Sequence, residues 1–171
     1  MKKILLIPTL LTVVSTPLIS LVGCGKNQFK LTHAYIDEDD SSLLRTEERV
    51  DLKAGENYTA IINVADFEIP NAPKRDLAFW VRNEEFYTGE SLFGLISTAS
   101  VTVDGKQLEQ IYEYKKSTKD KFWIYNDEDY SSLYVGREST TPTSTVKITF
   151  SLKEDVTQYY LICAYDAIDA K

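Results

Sequence analysis

The sequence predicts an all-β protein folded as a single β-sandwich. Segments that alternate apolar and polar residues recur along most of the chain, as half-buried strands require. Turn-forming residues punctuate them at short intervals. No stretch sustains a 3.6-residue period with capping residues at its ends. The 171 residues suit one domain, and 43% hydrophobic with 26% charged residues suits a folded one.

The elements follow in chain order. Residues 29–35 alternate as a strand. Residues 57–65 do the same, with Tyr58, Ala60, Ile62 and Val64 on one side. Shorter strands are expected at 77–81, 101–103, 107–114, 122–125 and 159–165. The most regular is 146–153, which turns Val146, Ile148, Phe150 and Leu152 to the core and Lys147 to water. Between strands, Asp104-Gly105 is a two-residue hairpin signal, because Asp-Gly accepts the positive φ angles of a type I′ turn. Residues 53–56 read as a second turn. Pro70 and Pro73 mark one loop and residues 140–144 another. Residues 91–97 suit one short helical turn. Trp80 and Trp123 are expected to fill the core. The passage from Leu152 to Asp155 into a Tyr-bearing strand resembles the E–F corner of immunoglobulin-like folds, although residue 161 is Leu and the usual Tyr-x-Cys is absent. An immunoglobulin-like or related sandwich is therefore expected over residues 29–171, with no second domain.

The first 24 residues differ from the rest. Lys2 and Lys3 precede an uncharged, largely apolar stretch from Ile4 to Val22, interrupted by Pro8 and Pro17. The stretch ends in Leu21-Val22-Gly23-Cys24. These residues resemble the signal peptide and lipobox of bacterial lipoproteins, and the Met-Lys-Lys start resembles those of wall-less or Gram-positive bacteria. The resemblance implies removal of residues 1–23 and attachment of lipid, such as palmitate, at Cys24. It implies residence on the extracytoplasmic face of a bacterial membrane. Residues 24–28 become a lipidated Cys and a tether that reaches about 14 Å at full extension. Removing the leader takes away Lys2 and Lys3 and makes the net charge −9 rather than −7. All 11 Tyr, 7 Phe and 2 Trp remain. An acidic domain of this kind excludes non-specific nucleic-acid binding. Two acyl chains are what hold such a domain stably.

The second cysteine, Cys163, lies in an apolar run and reads as a small buried hydrophobe. His33 is the single imidazole and reads as an ordinary strand residue. No phosphate loop, nucleophilic Ser motif or metal-binding His pair is present. Glu84-Glu85 and the acidic loops hold carboxylates, but a hydrolase ranks third, for want of a residue set that fits catalysis. No catalytic residue is assigned, and the chain is not expected to be an enzyme.

One internal match stands out. Residues 37–48 and 127–138 share seven of twelve residues, with a Tyr two positions before each. Asp37, Asp39, Ser41 and Glu48, and likewise Asp127, Asp129, Ser131 and Glu138, fall at side-chain ligand positions of a calcium loop. Ser42 and Ser132 stand where that loop needs Gly, and the flanks look like strands. Solvated turns are the leading expectation and a calcium-stabilised adhesion or structural domain the alternative. Phe86, Tyr87, Tyr130 and Tyr134 lie in polar surroundings and are the candidate binding surface for a protein or glycan. The overall expectation is a monomeric, membrane-anchored interaction module without a cofactor, calcium being the one candidate.

Overall fold

The computed structural model describes residues 27–33, 43–67, 76–83, 91–112 and 119–166. These form an all-β sandwich of two mixed sheets packed face to face. Thirteen strands run in order among the described residues: β1 (Gln28–Lys30), β2 (Thr32–His33), β3 (Leu43–Arg45), β4 (Val50–Leu52), β5 (Tyr58–Asn63), β6 (Asp76–Arg82), β7 (Ile96–Val103), β8 (Lys106–Gln107), β9 (Glu109–Ile111), β10 (Lys121–Asn126), β11 (Ser131–Val135), β12 (Thr145–Leu152) and β13 (Val156–Asp166). One sheet has the order β1-β5-β12-β7-β8. The other has the order β2-β3-β13-β6-β11-β10-β9, with β4 also paired to β13.

The regular alternation of β12 sets the core. Val146, Ile148, Phe150 and Leu152 are all buried, while Lys147 between them is exposed. Phe150 packs on Phe79 of the facing sheet with ring centroids 5.2 Å apart. Leu44, Leu77, Phe79, Val81, Phe122, Leu133, Val135, Leu161 and Cys163 line the inner face of the larger sheet. Burial pushes the Cys163 thiol far above its ordinary value, so it stays protonated.

Turn chemistry fixes the register. Asp104 and Gly105 take φ of 50° and 81°, and Val103 pairs with Lys106, as the hairpin signal requires. The Asp104 carboxylate also accepts from Thr145 N–H and the Ser144 hydroxyl, each at 2.8 Å. Gly55 takes φ of 73° in the turn at 53–56. The chain passes from β12 to β13 at 152–156, crossing between the sheets as an E–F corner does. At that corner the Asp155 carboxylate holds both Lys53 Nζ and Ala54 N–H at 2.8 Å. The tyrosine that closes a corner through its hydroxyl is not on β13 but on β5: Tyr58 accepts from Lys53 N–H at 2.7 Å and donates to Glu56.

Several local expectations are corrected. Residues 91–97 form no helical turn. Phe93 pairs with Arg82 as an isolated bridge, and β7 already begins at Ile96. Gly94 permits this, since a Cβ there would lie 2.9 Å from Val81 Cγ1. Residues 107–114 are not one strand. The chain changes sheets at Leu108, so β8 joins β7 while β9 joins β10. Residues 43–45, 50–52 and 131–135, read as loop or left unassigned, are strands. The loop marked by Pro70 and Pro73 lies outside the described residues.

Candidate functional site

The outer face of the larger sheet carries a second layer of packed side chains. Its period-2 logic is simple. Phe79, Val81, Phe122, Leu133, Val135, Leu161 and Cys163 point inward. The residues between them, Trp80, Trp123, Tyr134 and Ile162, therefore point outward. The two tryptophans leave the core for this reason, contrary to expectation. Trp80 packs with Leu43, Ile162, Tyr160 and Ala164 in a small cluster of its own. Trp123 is buried on the outer face and stacks on Tyr134 at 5.4 Å.

Tyr130 is the hub of the face. It stands at the end of the hairpin joining β10 to β11. Its hydroxyl accepts the Trp80 indole N–H at 2.9 Å. Its ring meets Phe93 edge-on at 4.6 Å and Tyr125 at 5.8 Å. Ser132 is fully buried beside Tyr125 in the ladder, and its hydroxyl has no hydrogen-bond partner. Guanidinium groups cover the other flank. Arg45 and Arg49 lie 4.7 and 5.2 Å from the Tyr160 ring, and Arg82 lies 5.7 Å from Trp80. The rings are thus held in fixed orientations. Tyr130, Tyr134, Tyr160 and Trp80 are half-buried, and Tyr125 is 52% exposed. Such a row stacks against flat or CH-rich ligand faces at little entropic cost.

The acidic residues are arranged otherwise. Asp127 and Asp129 sit in the β10–β11 hairpin. The Asp127 carboxylate accepts its neighbour Glu128 N–H at 2.8 Å, and Asp127 N–H donates to Tyr130 O at 2.8 Å. These are the local bonds of a solvated turn. Ser131 is buried, receiving Ile96 N–H at 3.1 Å and donating to Asn126. The whole of β11 separates it from Glu138, so residues 127–138 do not close into one loop. Of the earlier copy, Glu48 lies exposed between β3 and β4. Asp37, Asp39 and Ser41 fall outside the described residues, as do Cys24, Phe86 and Tyr87. Among the described residues no three His, Cys, Asp or Glu side chains gather to hold a metal ion.

Of the residues singled out by sequence, the structure brings Tyr130 and Tyr134 onto one outer face. Trp80, which the sequence places in the core, completes that face together with Phe93, Tyr125 and Tyr160, which the sequence does not single out. The signal for Trp80, Tyr125 and Tyr160 is the outward phase of β6, β10 and β13, visible only once the inward phase is known. Comparison with family models, with curated proteins and with solved structures finds no match.

Proposed function

We propose that this chain is a bacterial lipoprotein held on the extracytoplasmic face of a membrane by lipid on Cys24. Its sandwich is a non-catalytic interaction module that takes a protein or glycan ligand. The anchor rests on Leu21-Val22-Gly23-Cys24 behind an apolar leader. The binding role rests on one observation: the row of fixed, partly exposed rings centred on Tyr130 and tied to Trp80. Rings that already pack on one another need no ordering when a ligand arrives.

Two measurements test the two halves separately. Mass spectrometry of the mature N-terminus should find Cys24 as the first residue with lipid attached, and an unmodified Cys24 would refute the anchor. Glycan and peptide arrays probed with the lipidated protein in detergent should give a signal that Tyr134→Ala and Tyr160→Ala each reduce. A signal indifferent to both substitutions removes the aromatic face as the binding surface.

A further inference from the structure

The end of the sandwich at which the chain enters can be traced through bonded neighbours. Gln28 on β1 pairs with Thr59, and Asn27 O accepts Thr59 N–H at 2.8 Å. Moving from Thr59 towards this end leads to Tyr58, which pairs with Phe150, and to Gly55, whose N–H donates to Leu152 O at 3.1 Å. Leu152 pairs with Ile96, and Lys153 N–H donates to Leu95 O. Ile96 in turn bonds Ser131 and Asn126 at the foot of the β10–β11 hairpin. The turn at 53–56, the corner at 152–156, residues 91–95 and the hairpin at 127–130 therefore share one end. The Asp104-Gly105 hairpin and the loop at 140–144 occupy the other.

The apolar surface is distributed unevenly between these ends. Among the described residues the large exposed hydrophobic side chains are Leu92 at 60%, Tyr125 at 52% and Tyr112 at 89%. Leu92 exchanges two hydrogen bonds with Asn83, its N–H to Asn83 Oδ1 at 2.8 Å and its O from Asn83 N–H at 3.1 Å. That fixes it at the chain-entry end. Tyr125 is one residue from the hairpin. Tyr112 follows Ile111, which pairs with Trp123, and so stands level with the second half of β10. None lies at the far end.

We infer that this end of the sandwich is seated on the bilayer that holds the anchor, with Leu92 and Tyr125 entering its interfacial zone. The inference rests on the lipid-anchor reading. Gln28 is four residue steps from Cys24, a reach of about 14 Å, roughly the rise of the four steps from Thr59 to Gly55 at this end. A tether of that length leaves no room for a stalk. Leu and Tyr suit the zone between acyl chains and water, Tyr because its ring is apolar and its hydroxyl stays wet. The charges at this end set which lipid suits it. Among the described residues at this end the carboxylates of Glu56, Asp127, Glu128, Asp129 and Glu154 outnumber the cations Arg82 and Lys153, Lys53 being paired with Asp155. Zwitterionic headgroups therefore fit this end better than anionic ones.

The chain lends itself to a direct test. Cys163 is fully buried and, in this reading, Cys24 carries lipid, so an introduced surface Cys is the one thiol open to a spin label. Full-length lipidated protein carrying Leu92→Cys, Tyr125→Cys, Lys153→Cys or Gln107→Cys is placed in phosphatidylcholine vesicles. Collision of each label with oxygen and with a water-soluble nickel chelate is then measured. The oxygen-to-nickel ratio at residues 92 and 125 should exceed that at residue 107, at the far end, severalfold. Residue 153 should fall between them. Adding phosphatidylglycerol should lower the ratio at residues 92 and 125. Equal ratios at all four sites, in protein whose Cys24 lipid is verified by mass, overturn the orientation and leave the anchor standing. A Cys24 without lipid overturns both.

Discussion

The Trp80 indole N–H and the Tyr130 hydroxyl meet at 2.9 Å across 50 residues of sequence. The bond ties the tip of the β10–β11 hairpin to the centre of β6. Tyr130→Phe keeps the ring and removes the acceptor. It should cost about 0.5–1.5 kcal/mol in urea unfolding. Tyr130→Ala should cost more, because the edge contacts with Phe93 and Tyr125 go as well. By contrast Ser132→Ala, which deletes a buried hydroxyl without a partner, should be neutral or stabilising. A loss from Ser132→Ala as large as that from Tyr130→Phe would contradict the described packing.

Phe150 and Lys147 lie three residues apart on one strand with opposite fates. Phe150→Ala opens a cavity between the sheets against Phe79 and Tyr58 and should cost about 3–5 kcal/mol. Lys147→Ala should change stability by less than about 0.5 kcal/mol. Paired denaturation curves of the two variants check this.

The corner at Asp155 predicts a pH signature. Lys53 and then the Ala54 N–H hold the Asp155 carboxyl below its ordinary 3.8, while Asp155 holds Lys53 above its ordinary 10.5. The carboxylate's contribution is present above the unfolded value and is lost as pH falls through the lowered one. The ammonium's contribution is present below 10.5 and is lost as pH rises through the raised one. The melting temperature of the wild type should exceed that of Asp155→Asn at neutral pH. The gap should shrink below pH 3.8 and above pH 10.5. Both groups are exposed, so added salt should also narrow it. A gap that shrinks below pH 3.8 but persists above pH 10.5 would mean that the Ala54 contact alone fixes the corner.

Cys163 should be inert in the folded protein. Its thiol is buried and held protonated, so a thiol-reactive dye should label it only as fast as the chain unfolds. Labelling in native buffer should be slow, and urea should speed it in step with loss of the β signal in circular dichroism. Fast labelling in native buffer would place Cys163 outside the core.

Much of the fold was legible because alternation is a local property. β5 and β12 each show their inward residues within a few positions, and the Asp104-Gly105 turn is specified by two residues. The strands that escaped notice are short or polar. β11 begins Ser131-Ser132, one residue after Asp127-Glu128-Asp129, so its surroundings read as a loop. Pairing on both sides, with β10 and β6, is what makes it a strand.

The repeated segment shows the boundary most sharply. Leu43 and Leu133 hold the same place in the two copies, yet Leu133 faces the main core while Leu43 packs outward against Ile162. The copies are thus one residue out of phase, and a shift of one residue turns every side chain of a strand to the other face. By itself the sequence determined the all-β class, the turns and the inward phase of β5 and β12, since these depend on residues near one another in the chain. Which tryptophans leave the core, which tyrosine closes a corner and which aromatics share the outer face were decided by the tertiary structure alone. Those features depend on which strands lie side by side, and neighbours in a sheet such as Trp80 and Ile162 are brought together only by the fold.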